Sequence, residues 1–258
     1  SDAYNTVWWN DGQGHFTDSG QRLGNWATAD VALGDLDGDG DLDAFEVNLG
    51  GRSKSIDSLT GDMVWLNDGT GHFIDSGQRL GQSDGSAVAL GDLDGDGDLD
   101  AFIGNAHSGR ADEVWVNDGT GAFTDSGQRL GDANTRIVVL DDVDQDGDLD
   151  AFVGYNVSGR IWANDGAGQF SRSGQWFMWI PEYATNLADG DGGADQDVCA
   201  IQFNGDCLVW HNDGSGHFWR SEWPVRSIFL VGGGLVLGLL VFGGWIIWRR
   251  VGVVLTRK

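Results

Sequence analysis

The chain has 258 residues, 40% of them hydrophobic, with Gly (43) and Trp (13) abundant and Pro (2) and Met (2) scarce, which suits a strand-and-turn core better than helices. Fifteen Lys and Arg stand against 40 Asp and Glu, a formal charge of -25, which excludes nucleic acid as a partner because phosphate-backbone binders concentrate positive charge. Every acid precedes Ser227, while the last 32 residues carry four bases and no acid, so the two parts of the chain belong to different environments.

From the N-terminus onward the sequence is a repeat. One unit reads VWWNDGQGHFTDSGQRLG from Val7, VWLNDGTGHFIDSGQRLG from Val64 and VWVNDGTGAFTDSGQRLG from Val114, then more loosely IWANDGAGQFSRSGQ from Ile161 and VWHNDGSGHFWRS from Val209. Its tryptophans, Trp8, Trp65, Trp115, Trp162 and Trp210, recur at spacings of 57, 50, 47 and 48, the first lengthened by an insertion around Gly50 to Gly61. A second unit alternates with it: VALGDLDGDGDLDAFEV from Val31, VALGDLDGDGDLDAFIG from Val88, VVLDDVDQDGDLDAFVG from Val138 and a worn copy, ADGDGGADQDVCAIQF, from Ala188.

Each full period predicts four short strands. In the second they are Val88 to Gly91, Asp100 to Gly104, Glu113 to Asn117 and Ala122 to Asp125, the last two joined across Asp118-Gly119. Four-stranded units of this length cannot bury their faces alone and stack radially as propeller blades. The expected fold is therefore all-β: a β-propeller of four complete blades and a half blade over residues 1–224, followed by one C-terminal transmembrane α-helix. The recurring Trp reads as packing between blades. Ser1 to Gly20 supplies only a third and fourth strand, and the last unit owns its four strands by Arg220. The chain is thus expected to be part of a larger propeller, or to close only with a partner, as an open arc with Trp8 unpaired on one side.

Three Asp-rich loops separate the first two strands of successive units. Their acids are Asp35, Asp37, Asp39, Asp41 and Asp43, then Asp92, Asp94, Asp96, Asp98 and Asp100, then Asp142, Asp144, Asp146, Asp148 and Asp150. All fit D-x-D-x-D-G-x-x-D. Calcium takes about six to eight oxygens, and carboxylates at alternate positions of a tight loop can converge on one centre. The expected ligands are side chains at positions 1, 3, 5 and 9 and the backbone carbonyl of position 7. Three nearly identical copies between strands argue against an acidic turn left to solvent, and magnesium rarely uses an all-protein cage. An EF-hand is disfavoured, because no helical pattern flanks the loops and position 12 is Glu46, Ile103 and Val153 in turn. The fourth loop, with Asp189, Asp191, Asp195 and Asp197, has Gly193 at position 5 and Ala194 at position 6, and is expected to bind weakly or not at all. About three calcium ions are expected.

Cys199 and Cys207 are the only cysteines. If Asn204-Gly205 makes a two-residue hairpin turn, Cys199 faces Trp210 and Cys207 faces Gln202, which puts the sulfurs on opposite sheet faces and disfavours a disulfide; a longer loop shifts the register and revives it.

The stretch from Ile228 to Trp248 is 21 residues without a charge, long enough as a helix to cross a bilayer. A membrane helix over 227–248 and a basic cytoplasmic tail over 249–258 follow, with Arg249, Arg250, Arg257 and Lys258 placing the repeats outside the cell. Trp219, Trp223, Trp245 and Trp248 suit interfacial anchoring, and Gly234 and Gly238 form a G-x-x-x-G pair that ordinary membrane glycine explains equally well.

The alternating GDLDGDGDLDAFxG and VWxNDGxGxF segments resemble FG-GAP and VCBS repeats, as in integrin α-chain propellers and bacterial surface proteins, over roughly residues 4–220. The resemblance implies a propeller, commonly of seven blades, with calcium in the loop between the first two strands of a blade, and adhesion or binding of an extracellular protein or glycan. An alternative is the propeller portion of a polysaccharide lyase or hydrolase, but no catalytic constellation supports an enzyme. His15, His72 and His217 occupy one repeated turn that Ala122 and Gln169 also fill, and His107 and His211 read as isolated. On the face away from the cations, Arg52, Arg110 and Arg160 recur near hairpin tips and form a candidate ligand face, with solvated tip arginines the plainer reading.

Overall fold

Alternating apolar residues and glycine-bearing turns give the chain a succession of short antiparallel strands. The computed structural model describes residues 4–49, 61–81, 85–107, 109–132, 134–156, 158–178, 185–201, 207–220, 241–242 and 245–246. A two-stranded sheet comes first, β1 (Asn5–Asn10) with β2 (Phe16–Leu23). Four four-stranded sheets follow, each in simple sequence order. The first is β3 (Ala27–Gly34), β4 (Asp43–Leu49), β5 (Met63–Asn67) and β6 (Phe73–Asp75), and the second β7 (Gly85–Gly91), β8 (Asp100–Asn105), β9 (Glu113–Asn117) and β10 (Phe123–Asp125). The third is β11 (Thr135–Asp141), β12 (Asp150–Tyr155), β13 (Ser158–Ala163) and β14 (Ser171–Met178), and the fourth β15 (Thr185–Ala188), β16 (Asp197–Ile201), β17 (Cys207–Asn212) and β18 (Phe218–Arg220). The strands expected in the second period are found to within a few residues.

First strands of neighbouring sheets lie against one another, β3 on β7, β7 on β11 and β11 on β15, the stacking expected of blades. Because second strands are covered on both faces, β8 and β12 are buried along their whole length, and DAFIG and DAFVG read as unbroken apolar runs for that reason.

The core is a series of joints between sheets. Leu36, Phe45 and Val64 of the first complete blade cluster with Val88, Ala101 and Phe123 of the second. Leu93, Phe102 and Val114 of the second cluster with Ala151, Val153 and Phe170 of the third, and the third packs on the fourth through Phe152, Phe177, Val198, Trp210 and Phe218. The Phe of each DAF segment meets the Phe that closes the next unit's turn edge-on, Phe45 on Phe123 at 5.1 Å and Phe102 on Phe170 at 5.3 Å between centroids. At the last joint Phe177 is interposed, 5.5 Å from Phe152 and 5.2 Å from Phe218. Trp115, Trp162 and Trp210 pack at these joints as expected, and Trp65 lies in a separate cluster with Leu23, Trp26 and Phe73. Trp65, Trp162 and Trp210 are buried and Trp115 is partly buried against the first joint, whereas Trp8 is 53% exposed.

Buried carboxylates brace the opposite ends of the sheets. Glu46 on β4 accepts from Thr28 Oγ1 (2.8 Å) and Trp65 Nε1 (2.7 Å). Asp112 accepts the Asn105 N–H (2.8 Å) and the Thr135 hydroxyl (2.8 Å). Burial pushes the Asp112 carboxyl up to about 7, against the downward pull of those two donors. The folded state therefore holds a proton that the unfolded chain, titrating near about 3.9, releases. This contribution to stability is fully present below about pH 4 and is lost as pH rises through about 7, with a slope of at most about 1.4 kcal/mol per pH unit. Denaturant unfolding of the native chain and Asp112→Asn is expected to show their stability difference moving against the native chain over that window; a difference flat with pH would contradict the burial argument.

One expectation is corrected. Cys199 is disulfide-bonded, and Cys207 is the chain's one other cysteine. Cys199 pairs with Val209 and Ile201 with Cys207, one residue away from the expected register, and that slip puts positions 199 and 207 on the same face as diagonal neighbours. The helix expected over 227–248 lies outside the described residues apart from Val241–Phe242 and Trp245–Ile246, which pair antiparallel. Among the described residues no helix is long and apolar enough to cross a membrane.

Candidate metal centres

Each Asp-rich loop joins the paired ends of the first two strands, Gly34 with Asp43, Gly91 with Asp100 and Asp141 with Asp150. The position-1 carboxylate winds the loop around itself. Asp35 accepts the N–H groups of Gly38 (2.9 Å) and Gly40 (3.0 Å), and Asp92 those of Gly95 (2.8 Å) and Gly97 (3.1 Å). Asp142 accepts from Asp146 and Gly147, both at 3.1 Å. Position 6 turns the chain in the left-handed region, with φ of 93°, 96° and 101° at Gly40, Gly97 and Gly147, which is why glycine stands there.

The wound loop brings positions 1, 3 and 5 together. One oxygen from each of Asp35, Asp37 and Asp39 lies within 4.8 Å of the others, and Asp92, Asp94 and Asp96 and Asp142, Asp144 and Asp146 repeat the arrangement. Burial holds the carboxyls of Asp37, Asp94 and Asp144 above the usual range, and neighbouring carboxylates add to it, among them Asp39, Asp96 and Asp146 respectively. Oδ1 of Asp144 is buried without a hydrogen-bond partner. Three carboxylates crowded within 4.8 Å, the third triad with an unused buried oxygen at Asp144, fit a hard divalent cation.

The remaining acids of the motif stand outside these triads. Position 9 is fully buried and ties the loop to the third strand. Asp43 accepts the Leu36 N–H (2.8 Å) and the Asn67 N–H (2.7 Å), Asp100 those of Leu93 (3.0 Å) and Asn117 (2.8 Å), and Asp150 those of Val143 (3.3 Å) and Asn164 (2.8 Å). Burial pushes Asp100 and Asp150 up to about 6, although the N–H bonds favour their charged forms. The position-7 side chains of Asp41, Asp98 and Asp148 lie against Gly69, Gly119 and Gly166 of the Asn-Asp-Gly turns. A Cβ on Gly69 would stand 2.7 Å from Asp41 Oδ2, so the Asn-Asp-Gly turn is shaped around the loop.

Two linkages that motif reading missed lock each blade to the next. The Asn of the following Asn-Asp-Gly turn donates to the position-2 carbonyl: Asn117 to Leu36 (2.8 Å), Asn164 to Leu93 (2.8 Å) and Asn212 to Val143 (2.6 Å). The Gln of each DSGQ segment uses both ends of its amide on the next turn. Gln78 donates to the Gly121 carbonyl (2.7 Å) and accepts the Phe123 N–H (2.8 Å), and Gln128 does the same with Gly168 (2.6 Å) and Phe170 (2.8 Å). The verbatim recurrence of DSGQRL was the available signal. Its Asp and Arg form exposed ion pairs, Asp75 with Arg79 and Asp125 with Arg129 at 2.7 Å.

On the opposite end, Arg52 lies outside the described residues and Arg110 sits beside the β8–β9 turn. Arg160 lies near the start of β13, with its guanidinium over the rings of Trp176 (4.4 Å) and Trp162 (5.6 Å). His15 and His217 are exposed turn residues as expected. His211 is not isolated, since its Nδ1 faces Asp191 and Asp197 of the fourth loop.

A family model described as FG-GAP-like repeat matches residues 1–45. No curated protein matches the chain. Among solved structures, one reporting recognition of non-reducing terminal N-acetylglucosamine by an Agrocybe aegerita lectin is similar, with 21% identity and a TM-score of 0.51, over 83% of this chain and 58% of that one. The chain thus spans less than two thirds of that lectin's chain, and the likeness extends to the fold, a β-propeller-like array of repeated four-stranded sheets.

Proposed function

We propose that this chain is an extracellular, membrane-anchored, calcium-binding propeller module that holds a protein or glycan ligand. The observation that carries the reading is the threefold recurrence of one carboxylate triad, Asp35, Asp37 and Asp39 with its two copies, at the same joint of three successive blades. Asp41, Asp98 and Asp148 would add backbone carbonyls, and Asp43, Asp100 and Asp150 hold the loop in shape. Calcium there acts structurally: it offsets the repulsion within the triads and stiffens the joints that Asn117, Asn164 and Asn212 close. The ligand class is supported by the fold shared with a lectin.

Calcium-dependent retention on immobilised glycans or matrix proteins, reversed by a chelator and without turnover of polysaccharide, is the expected result. Release of new reducing ends would instead assign an enzyme. The anchor rests on the charge-free run Ile228 to Trp248 and the bases that follow it. A cysteine introduced at exposed Ala122 is expected to be labelled from outside intact cells and one at Thr256 to be protected; the reverse would overturn the orientation.

A further inference from the structure

The worn fourth loop lacks the position-5 carboxylate and position-6 glycine that the other three share, yet it has acquired a side chain they lack. In β5, β9 and β13 the residue between the Trp and the Asn is Leu66, Val116 or Ala163, whereas in β17 it is His211. Its Nδ1 lies 3.5 Å from Asp191 Oδ2 and 3.6 Å from Asp197 Oδ2, and the three donors lie within 4.8 Å of one another. Asp197 is 1% exposed, and its two oxygens accept the N–H groups of Gly190 (3.0 Å) and Asn212 (2.9 Å), so it is fixed in place. The imidazole is fixed as well, with 12% of its side chain exposed and its ring 5.7 Å from that of Trp219.

Nδ1 of His211 is buried and has no hydrogen-bond partner. At 3.5 and 3.6 Å the carboxylate oxygens are too far for a good hydrogen bond. The same separations suit two ligands of one tetrahedral ion, because bonds of about 2.0–2.1 Å at the tetrahedral angle put donor atoms about 3.4 Å apart. Calcium is the wrong ion: position 5 is Gly193, which removes a carboxylate, and a neutral imidazole nitrogen suits borderline metals far better than hard ones. Oδ1 of Asp195 is also buried without a partner, and a Cβ on Gly193 would stand 2.9 Å from it and 3.0 Å from Asp191 Oδ1. The glycine that cost the loop its calcium ligand leaves room for these two carboxylates.

We infer that the fourth blade carries a site for a zinc-class transition-metal ion, held by Asp191, Asp197 and His211, chemically distinct from the three calcium loops. The charges agree, since two carboxylates and a neutral imidazole balance a divalent ion. A fourth coordination position is left for water or a ligand atom.

The test uses the full chain in detergent at neutral pH, with calcium in large excess so that the other loops are filled, titrated with zinc by calorimetry and with cobalt by visible absorption. One zinc per chain and a cobalt spectrum with nitrogen in its ligand set are expected. His211→Val installs the residue that the second blade carries at this position, and Asp191→Asn changes an exposed residue, so neither is expected to disturb folding. The first should abolish the zinc site and the cobalt spectrum, and the second should weaken zinc binding by at least about tenfold. Absence of zinc binding to the native chain overturns the inference, as does a zinc count unchanged in His211→Val. Calcium counts are read separately, so failure here is distinguishable from failure of the calcium reading.

Discussion

Chelation of calcium is expected to lower the melting temperature of the chain by on the order of 20 °C. An ion that binds only the native state stabilises it by about 2.7 kcal/mol at a hundredfold excess over Kd, and a protein of this size shifts by about 2–4 °C per kcal/mol. Three such sites make the effect large. Asp39→Ala, Asp96→Ala and Asp146→Ala each remove one carboxylate from a triad, so each should abolish about a third of the chelator-sensitive shift, while Asp191→Ala leaves it nearly unchanged. Melting curves with and without chelator decide this. The physical cause is local: without the ion, carboxylates within 4.8 Å of one another repel, and the loop that loosens is the one whose position-2 carbonyl receives the next blade's asparagine.

Phe102→Ala is expected to destabilise the chain by about 3–5 kcal/mol, the range for removing a buried aromatic side chain without collapse of the cavity. Phe102 has no exposed surface and sits edge-on to Phe170 of the next sheet, inside the cluster that joins the second and third blades. Because stability in such an array is close to a sum of neighbouring joints, the loss should be confined to one joint. Hydrogen exchange should accelerate across β7–β14 more than in β3–β6, where Phe45 and Val64 keep their own partners. Equal acceleration in every blade would contradict a core made of separable joints.

The blades and the Asp-rich loops were legible because each feature is written several times. VW-x-NDG and GD-x-D each mark a turn whose glycines have one conformational reason to be there, and repetition converts a weak local signal into a firm one. Features that depend on register or on a neighbouring blade were not legible. The cysteines illustrate the first kind: a slip of one residue, Cys199 opposite Val209 in place of Trp210, moves a side chain to the other face. Gln78 and Gln128 illustrate the second, since an amide that satisfies a carbonyl and an N–H 40 or more residues away looks like any surface glutamine in the sequence. His211 combines both, because only the pairing of β17 with β16 brings it over the fourth loop. The nine-residue motif itself holds two kinds of acid, a crowded triad at positions 1, 3 and 5 and a buried tie at position 9, and spacing alone does not separate them.

The central claim is that the triads at Asp35, Asp92 and Asp142 are calcium sites, and the most direct measurement is the number of calcium ions bound per chain by isothermal titration calorimetry. Three ions for the native chain and two for Asp96→Ala are predicted. A native count of zero, or a count that Asp96→Ala leaves unchanged, would contradict the account.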